Sequence, residues 1–230
     1  MTLRLGIPSK GRLMGDTTAW FAERGVQLVR SGSEREYAGR VNGIDGIELV
    51  LLAAGEIPGE LALGRIHLGV TGSDVVREKI ADWSTRVRVL AQLGFGQADL
   101  VIAVPKCWQD VWSLDDLDAV AAQFRANHGF RLRIATKYHR LVRSFLREAG
   151  VADYQLVDSQ GATEGTVANQ TAEAIADITS SGATLDANHL RPLDPVVHAS
   201  QAVLFRSELA PWAAPEQATL SRLTDALRLG

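Results

Sequence analysis

Short apolar runs alternate along this chain with stretches in which apolar residues recur every three or four positions. The first run covers residues 3–7, and the strongest, IELVLL at residues 47–52, is near-continuously apolar. Such a run predicts a strand that is buried on both faces. The alternation of strand and helix patterns is typical of parallel sheets covered by helices. We therefore expect an α/β protein.

The same pattern predicts the other elements. Further strands are expected at residues 26–29, 67–70, 87–90, 100–104, 131–135, 154–157 and 175–178, with one more within 194–205. Helices are expected at residues 13–24, 56–63, from 75, and at 114–126, 141–149 and 209–229. Ser113 is suited to cap the helix at 114, because its side chain can accept from a free N–H group. Asp115 and Asp116 favour the same helix end through its dipole.

The apolar runs fall into two series, which predicts two lobes. One series ends near residue 93, at the sequence LGFG, and the other ends near residue 188. We expect one lobe to contain residues 1–93 and 188–230, and the other to contain residues 94–187. A cleft between two such lobes is a natural small-molecule site.

Composition and charge exclude several classes of protein. Hydrophobic residues make up 46% of the chain, charged residues 22%, and the net charge is -3. The fold as a whole should not attract nucleic acid, although a local basic site is possible. The N-terminus turns polar after seven residues, and no apolar run approaches the roughly 18 residues of a membrane helix. We therefore expect a cytoplasmic protein with no signal peptide or membrane span.

The single cysteine, Cys107, cannot form an internal disulfide. Its neighbours Trp108, Val111 and Trp112 predict a partly buried thiol. The five tryptophans are expected to pack in the core and between the lobes. The five histidines show no metal-ligand spacing, so no metal held by the protein is expected. Walker, GxSxG and GxGxxG motifs are also absent.

The sequence DITSSGATL at residues 177–185 has the features of a phosphate-binding loop. A predicted strand delivers Asp177 to the edge of a sheet, and Gly182 allows the backbone to approach a ligand closely. Four hydroxyl donors follow the strand: Thr179, Ser180, Ser181 and Thr184. A helix starting near Ala183 would add free N–H groups. The loop is predicted to bind a phosphate monoester; the alternative is a serine-rich capped turn without a ligand.

Three other loops follow predicted strands and could bind anions or nucleotides, since ligands of open α/β sheets lie beyond the carboxyl ends of strands. Lys10, Gly11 and Arg12 stand in PSKGR, which could bind a pyrophosphate or triphosphate or be an ordinary basic turn. In the TGSD loop the candidate binding residues are Thr71, Gly72 and Asp74. In ATKY they are Thr136 and Lys137. Asp74 could accept from a base or a ribose hydroxyl, or could stabilise the start of a helix.

These motifs, in this order, resemble the ATP phosphoribosyltransferase family of histidine biosynthesis. The resemblance runs over nearly the whole chain, through GIPSKGRL, LGVTGSD, LGFGQADLVIAVP, RIATKY, GATE and AEAIADITSSGATLDANHL. Its most specific part is an acidic residue, matching Glu164, followed by D-[LIV]-x-x-[ST]-G-x-T-L, matching residues 177–185.

The resemblance implies a two-lobed fold like the type II periplasmic binding proteins, with an active-site cleft between the lobes. It implies transfer of a phosphoribosyl group from phosphoribosyl pyrophosphate to N1 of ATP, with release of pyrophosphate accompanied by Mg²⁺. Glu164 and residues 177–184, including Ala183, would bind phosphoribosyl pyrophosphate. Lys10 and Arg12 would act on the substrate phosphates as catalytic residues, while Thr71, Gly72, Asp74 and Lys137 would contact ATP or phosphates.

The chain also departs from the family pattern. Gln170 stands where a glycine is usual, six residues after the glutamate. Many members carry arginines after the third strong strand, but residues 53–58 here read AAGEIP. Arg65, Arg12, Lys10 or a partner subunit could supply that charge.

No C-terminal regulatory domain is expected, because one strand and a helical tail follow Asp194. This resembles the short catalytic form of the family, which works in a hetero-oligomer with a regulatory subunit resembling histidyl-tRNA synthetase. Two alternatives remain. One is a nucleobase-type phosphoribosyltransferase, although that type usually has two adjacent acidic residues where this chain has Ala176 and Asp177. The other is a non-enzymatic two-lobed binding protein.

Overall fold

The chain folds into two compact units, each built on its own sheet. The computed structural model describes residues 2–30, 38–159 and 161–229. The first unit contains Met1–Gly96 and Gln201–Gly230, and the second contains Gln97–Ser200. The α/β class expected from the sequence is confirmed.

The described part of the chain contains thirteen strands and nine helices. The strands are β1 (Leu3–Pro8), β2 (Gln27–Arg30), β3 (Ala38–Asn42), β4 (Ile47–Leu52), β5 (Leu68–Gly72), β6 (Val87–Gln92), β7 (Ala98–Pro105), β8 (Leu132–Thr136), β9 (Tyr154–Asp158), β10 (Ala174–Thr179), β11 (Leu190–Pro192), β12 (His198–Ser200) and β13 (Ala202–Ser207). The helices are α1 (Gly11–Glu23), α2 (Ile57–Ala62), α3 (Ser73–Lys79), α4 (Trp83–Arg86), α5 (Leu114–His128), α6 (His139–Glu148), α7 (Gly165–Ala168), α8 (Ala183–Ala187) and α9 (Ala214–Ala226).

The sheet of the first unit has the order β2-β3-β4-β1-β5-β13-β6. Strand β1 is parallel to β4 and β5, whereas β3 is antiparallel to both β2 and β4. Because β2 and β4 are both antiparallel to β3, they run parallel to each other. The carboxyl ends of β1, β2, β4 and β5 therefore lie at the same edge of this sheet.

The core of the first unit follows from the alternation of side chains along its strands. In β4, Leu49 and Leu51 are buried, while Val50 and Leu52 on the other face are only half-buried. The strand is covered on both faces, as predicted, but the second face is covered less completely, with Val50 and Leu52 packed against the cluster around Ile57. Helix α1 packs its buried Phe21 into the same core as Leu49.

The sheet of the second unit has the order β11-β7-β10-β8-β9, with β12 paired to β7. Strand β8 is parallel to β9 and β10, whereas β7 is antiparallel to β10, β11 and β12. The carboxyl ends of β8, β9 and β10 therefore share one edge. Each sheet is mixed rather than parallel, because a returning strand pairs in the opposite direction in both.

The cap predicted at the start of α5 is present. The side-chain oxygen of Ser113 accepts from the backbone N–H of Asp116 at 3.1 Å, and the Asp116 carboxylate accepts from the backbone N–H of Ser113 at 2.9 Å. These reciprocal bonds form a capping box, which satisfies two backbone donors that the helix leaves free.

The strand predicted within residues 194–205 is in fact two strands in different sheets. Strand β12 pairs with β7 in the second unit, and β13 pairs with β5 and β6 in the first, with Gln201 between them. A continuous apolar pattern does not reveal the change of sheet. The chain returns to the first unit at Gln201, beyond the expected boundary near residue 188, because β11 and β12 still pair with β7.

Two expectations about side-chain burial are wrong. Cys107 is exposed rather than partly buried, because it lies in the turn that follows β7. Trp112 is 63% exposed and stacks on the Arg191 guanidinium, whose carbon lies 3.6 Å from the ring centroid. Trp20, by contrast, is buried and makes an edge contact with Phe21, as expected of a core tryptophan.

Candidate functional site

The PSKGR loop follows β1 at the carboxyl edge of the first sheet. Lys10 is exposed and precedes α1 in an extended conformation, with φ -158° and ψ 171°. Gly11 has a φ of 78°, in the left-handed region where glycine meets no steric cost. Arg12, also exposed, follows on the first turn of α1. The turn therefore places two cationic side chains at the end of β1.

Arg30 is a third cation at this loop, and the sequence interpretation missed it. Its Nη2 donates to the carbonyl oxygen of Ser9 at 2.5 Å and lies 3.4 Å from the Met14 sulfur. Its Nε is buried and has no hydrogen-bond partner in the described part of the chain. Arg30 reaches the loop because β2 is parallel to β4 and ends at the same edge of the sheet. The sequence does offer a signal for this role, since an arginine directly follows the second predicted strand.

The loop after β4, which lacks arginine, is fastened by residues from β5 and α3. The Thr71 hydroxyl donates to the Ala54 carbonyl oxygen at 2.9 Å, and Lys79 Nζ donates to the Gly55 carbonyl oxygen at 2.7 Å. Thr71 is buried, so its hydroxyl hydrogen is engaged within the protein. Lys79 was not singled out from the sequence, yet it places a positive charge on this loop.

The other residues of the first unit lie as follows. Gly72 ends β5 in an extended conformation, and Asp74 is buried in the first turn of α3. Arg65 lies before the amino end of β5 and pairs with Glu60 at 3.1 Å. Arg65 is therefore separated from the strand ends that carry Lys10 and Gly72.

The DITSSGATL loop leaves β10 at the carboxyl edge of the second sheet. Gly182 has a φ of 73° and directly precedes α8. Its backbone N–H donates to the Thr179 hydroxyl oxygen at 2.9 Å, and the Ala183 N–H donates to the Ser181 oxygen at 3.4 Å. Ser180, Ser181 and Thr184 are exposed. The loop is thus shaped by its own hydroxyl groups and presents a row of them to solvent.

Two acidic residues accompany this loop. Asp177 is half-buried near the end of β10, and its Oδ1 accepts from the backbone N–H of Ile178 at 2.8 Å. Glu164 is half-buried and directly precedes α7, after β9. Beside it, the buried hydroxyls of Ser159 and Thr163 lie 2.9 Å apart. Asp177 and Glu164 therefore lie at the carboxyl ends of β10 and β9, at one edge of the sheet, with β8 between the two strands.

The ATKY segment follows β8 at the same edge. Lys137 is exposed, and its Nζ donates to the Gly161 carbonyl oxygen at 2.6 Å. Thr136 is buried and accepts from the backbone N–H of Tyr138 at 2.9 Å. Lys137 therefore fastens the loop that leads to Glu164.

A nearby lysine is neutralised by the protein itself. Lys106 pairs with Asp186 of α8, and the hydrogen bond and positive charge of Lys106 lower the pKa of the Asp186 carboxyl.

Within residues 2–30, 38–159 and 161–229, no group of three or more His, Cys, Asp or Glu residues could hold a metal ion. No helix in those ranges is long and apolar enough to cross a membrane.

The fold and these loops define an α/β protein of two units in which strand ends carry hydroxyl-rich and cationic loops. The chain belongs to the ATP phosphoribosyltransferase family: the family model described as HisG, ATP phosphoribosyltransferase, matches residues 53–228. The ATP phosphoribosyltransferase of Cereibacter sphaeroides is 72% identical over 214 residues, which cover 93% of this chain and 91% of that protein. The resemblance found in the sequence is confirmed.

Solved structures show the fold. The ATP phosphoribosyl transferase (HisG:HisZ) complex from Thermotoga maritima matches with a TM-score of 0.72 and 21% identity, covering 99% of both chains. A putative L-cystine ABC transporter protein from Listeria monocytogenes matches with a TM-score of 0.57 and 12% identity, covering 99% of this chain and 89% of that one. The two-lobed type II binding-protein fold expected from the resemblance is therefore confirmed.

Gln170, which replaces a usual glycine of the family, keeps a backbone geometry that suits glycine. Its φ is 57°, in the left-handed region. Its N–H donates to the Val167 carbonyl oxygen at 3.0 Å, and its own carbonyl oxygen accepts from Arg133 at 3.0 Å. The left-handed backbone that favours glycine is therefore present here with a glutamine side chain.

Proposed function

We propose that this chain transfers the phosphoribosyl group of phosphoribosyl pyrophosphate to N1 of the adenine of ATP, the first step of histidine biosynthesis. The observation that carries this proposal is the 177–185 loop, preformed at the end of β10 in a member of the ATP phosphoribosyltransferase family. In the reaction the bond from ribose C1 to pyrophosphate breaks and a bond from C1 to N1 forms. The electrons of the broken bond leave with pyrophosphate.

In this proposal the loop at the end of β10 holds the 5′-phosphate of the ribose. The exposed hydroxyls of Ser180, Ser181 and Thr184 supply donors, while the backbone N–H groups of Gly182 and Ala183 are bound to Thr179 and Ser181 and shape the loop. Asp177 and Glu164 are carboxylates, which repel phosphate but accept hydrogen bonds from hydroxyl groups. We therefore assign them to the ribose hydroxyls rather than to the phosphate.

The first unit is proposed to stabilise the negative charge that develops on pyrophosphate. Lys10 and Arg12 are exposed at the end of β1, and fixed cations aimed at developing charge lower a barrier effectively. Arg30 stiffens their loop through Ser9, and Lys79 places its charge on the loop after β4 that lacks arginine. Lys79, rather than the paired Arg65, is therefore our assignment for the charge that other family members supply by arginine there.

The remaining candidates are assigned to ATP and its phosphates. Gly72 leaves room for close approach at the end of β5, and buried Asp74 follows it at the start of α3. Thr71 acts through the loop that it fastens at Ala54. Lys137 has the same type of role in the second unit, since it holds Gly161 ahead of Glu164.

Magnesium is proposed to enter with the substrates. The described residues offer no cluster that would hold a metal by itself, and Mg²⁺ typically binds through one or two carboxylates together with substrate phosphates. When bound it would neutralise part of the pyrophosphate charge. Asp177 and Glu164 fit such a supporting role, because both are half-buried carboxylates at the carboxyl edge of the second sheet.

We also propose that the chain is the catalytic subunit of a hetero-oligomer with a regulatory subunit resembling histidyl-tRNA synthetase. One observation supports this. The Thermotoga maritima structure of the same fold is a complex of two kinds of chain, HisG and HisZ.

The test is to supply purified protein with phosphoribosyl pyrophosphate, Mg²⁺ and one acceptor at a time, with and without the regulatory subunit. ATP, adenine, guanine and orotate serve as acceptors, and pyrophosphate and the phosphoribosylated product are measured. We expect turnover only when ATP is the acceptor. Turnover only with a free base would replace this proposal by the nucleobase type. Binding of the ligands with no turnover under any condition would favour a non-enzymatic binding protein.

A further inference from the structure

A groove lined by arginines lies in the second unit between α6 and β9. Its volume is about 640 Å³, and its lining includes Arg131, Arg143, Arg147, Tyr154 and Leu156. We call it the arginine groove. Volumes of this size are typical of ligand sites.

The arginine groove lies away from the candidate phosphoribosyl loop. Arg131 immediately precedes β8, and the groove residues 150–152 end one residue before β9 begins. The groove is therefore at the amino ends of these strands, whereas the loops that carry Lys137 and Asp177 are at the carboxyl ends. The proposed reaction makes no use of it.

The charge of the groove is not balanced by its surroundings. Arg131, Arg143 and Arg147 are exposed, no residue lining the groove is acidic, and no ion pair of the three is found in the described ranges. The closest carboxylates in sequence have other partners: Glu148 accepts from Ser144, and Asp153 pairs with Arg125. The carbonyl end of α6 favours a cation at Arg147, but that effect does not account for Arg131.

The free edge of the second sheet forms one wall of the same groove. Strand β9 is last in the sheet order, and in the described part of the chain it pairs only with β8. The Asp153 carbonyl oxygen faces β8, since it accepts from the Leu132 N–H at 3.1 Å. Backbone groups alternate in direction along a strand, so those of Tyr154 and Leu156 face outward. Unpaired groups of this kind form a template for another strand.

We propose that the arginine groove receives an extended acidic segment of a partner polypeptide. The segment adds as a strand to the free edge of β9, and its carboxylates pair with Arg131, Arg143 and Arg147. Strand addition of this type derives affinity from main-chain hydrogen bonds and specificity from side chains beside the edge. Arginine suits the specific part, because its planar group binds carboxylates in pairs of hydrogen bonds. A compact anion would use the arginines and leave the edge unpaired.

The experiment measures fluorescence anisotropy of labelled peptides with the full chain at low ionic strength. One peptide alternates glutamate and valine, its neutral twin alternates glutamine and valine, and a third is the acidic peptide with N-methyl groups on alternate residues. We expect the acidic peptide to bind, and both other peptides to bind at least about ten-fold more weakly, since one loses the ion pairs and the other the strand pairing.

The protein variants separate the groove from general charge. The double variant Arg143→Glu with Arg147→Glu should lower the affinity for the acidic peptide about ten-fold or more. The matched control is Arg86→Glu with Arg228→Glu, which changes the net charge equally at two exposed positions of the first unit. The control should bind as the unmodified protein does.

Several outcomes would overturn the proposal. The proposal would be wrong if the acidic peptide did not bind, or if the control variant lost as much affinity for it as the Arg143 and Arg147 variant. It would also be wrong if the N-methylated peptide bound as tightly as the acidic peptide. Inorganic tripolyphosphate that bound the groove more tightly than the acidic peptide, with the same dependence on Arg143 and Arg147, would establish a small-anion site instead. Circular dichroism of each variant checks that it is folded.

Discussion

The guanidinium of Arg30 donates a hydrogen bond to the carbonyl oxygen of Ser9 at 2.5 Å. This bond joins the end of β2 to the loop that presents Lys10 and Arg12, although β2 and β1 are separated by two strands in the sheet. A charged donor that holds a backbone carbonyl stabilises the conformation of the loop. The positions of the two exposed cations therefore depend on a residue that has no place in the loop itself.

Replacing Arg30 should weaken catalysis more than folding. Hydrogen bonds from charged groups contribute about 1.5–3 kcal/mol, so we expect Arg30→Ala to lower kcat/KM by roughly 10- to 100-fold. Arg30→Lys should restore part of this, because it keeps the charge but not the planar donor group. Arg40→Ala, at an exposed position of β3, is the control and should keep its activity. If Arg30→Ala and Arg30→Lys both kept the kcat/KM of the unmodified protein, Arg30 would be excluded from the site.

Gly182 should tolerate no side chain without a loss of phosphoribosyl pyrophosphate binding. A Cβ there would meet no atom within 4 Å, so the cost of Gly182→Ala comes from its φ of 73° and not from crowding. That conformation costs other residues about 1–2 kcal/mol. Affinity measured by calorimetry should fall accordingly, and Gly182→Trp should abolish binding. Gly59→Ala, a helical glycine with open space around it, should bind normally.

Asp177→Ala should abolish measurable binding of phosphoribosyl pyrophosphate, if its carboxylate accepts from the ribose hydroxyls. Asp186→Ala is a matched control nine residues further along the same segment, since the Asp186 side chain is 75% exposed and its described partner is Lys106. It should change affinity little. Equal affinity of the Asp177→Ala variant and the unmodified protein would exclude this residue from the site.

Gln170→Gly should stabilise the protein by about 0.5–1 kcal/mol, because glycine adopts the observed φ of 57° without strain. Its neighbour Asn169 has a φ of -85°, so Asn169→Gly should destabilise instead. For a chain of this size the two melting temperatures should move apart by a few degrees, at about 2–4 °C for each kcal/mol. A lower melting temperature in both variants would contradict the prediction.

The stability of the protein should decrease as the medium becomes acidic, partly because of His67. Burial lowers the pKa of His67 below its ordinary value of 6.5, while a hydrogen bond to the Pro211 carbonyl and the charge of Glu216 oppose the shift. The His67 Nδ1 accepts from the Arg4 N–H at 3.1 Å, which requires the neutral ring. Below about pH 6.5 the unfolded chain therefore binds a proton that the folded chain does not.

The His67 contribution is present above about pH 6.5 and is lost as the pH falls toward the folded-state pKa. Urea unfolding from about pH 7.5 down to about pH 5 should show a steeper loss of stability in the unmodified protein than in His67→Gln. His128→Gln, at an exposed position, should keep the steeper dependence. Identical slopes for His67→Gln and the unmodified protein would contradict this assignment.

Much of the candidate site could be predicted because its loops follow apolar runs. PSKGR and TGSD come directly after predicted strands, and DITSSG begins in the last two residues of one, so their common position at sheet edges followed from the α/β rule. The start of α5 was also predictable, since a cap depends on residues three apart. These features depend on local sequence, and the structure places them where expected.

Arg30 and Lys79 could not be identified in the same way, because their positions depend on contacts between distant segments. Arg30 lies at the carboxyl edge of the first sheet because β3 joins β2 to β4. The β3 sequence AGRVN has no clear alternation of apolar and polar residues, so this strand was not predicted. Lys79 reaches Gly55 from the far end of α3. The split of residues 198–207 into two sheets was missed for a related reason: one residue between two apolar runs gives no local signal of a change of partner.

The pairing of Ser200 with Ala98 has a consequence for how the protein can be rebuilt. The second unit begins and ends at facing positions of adjacent strands, and just outside it the Ala202 N–H donates to the Phe95 carbonyl oxygen at 2.9 Å. The unit is therefore an insertion whose two ends are already neighbours. Exchanging residues 97–200 between relatives should leave the first sheet in register, so that the unit carrying the 177–185 loop can be transplanted as one piece.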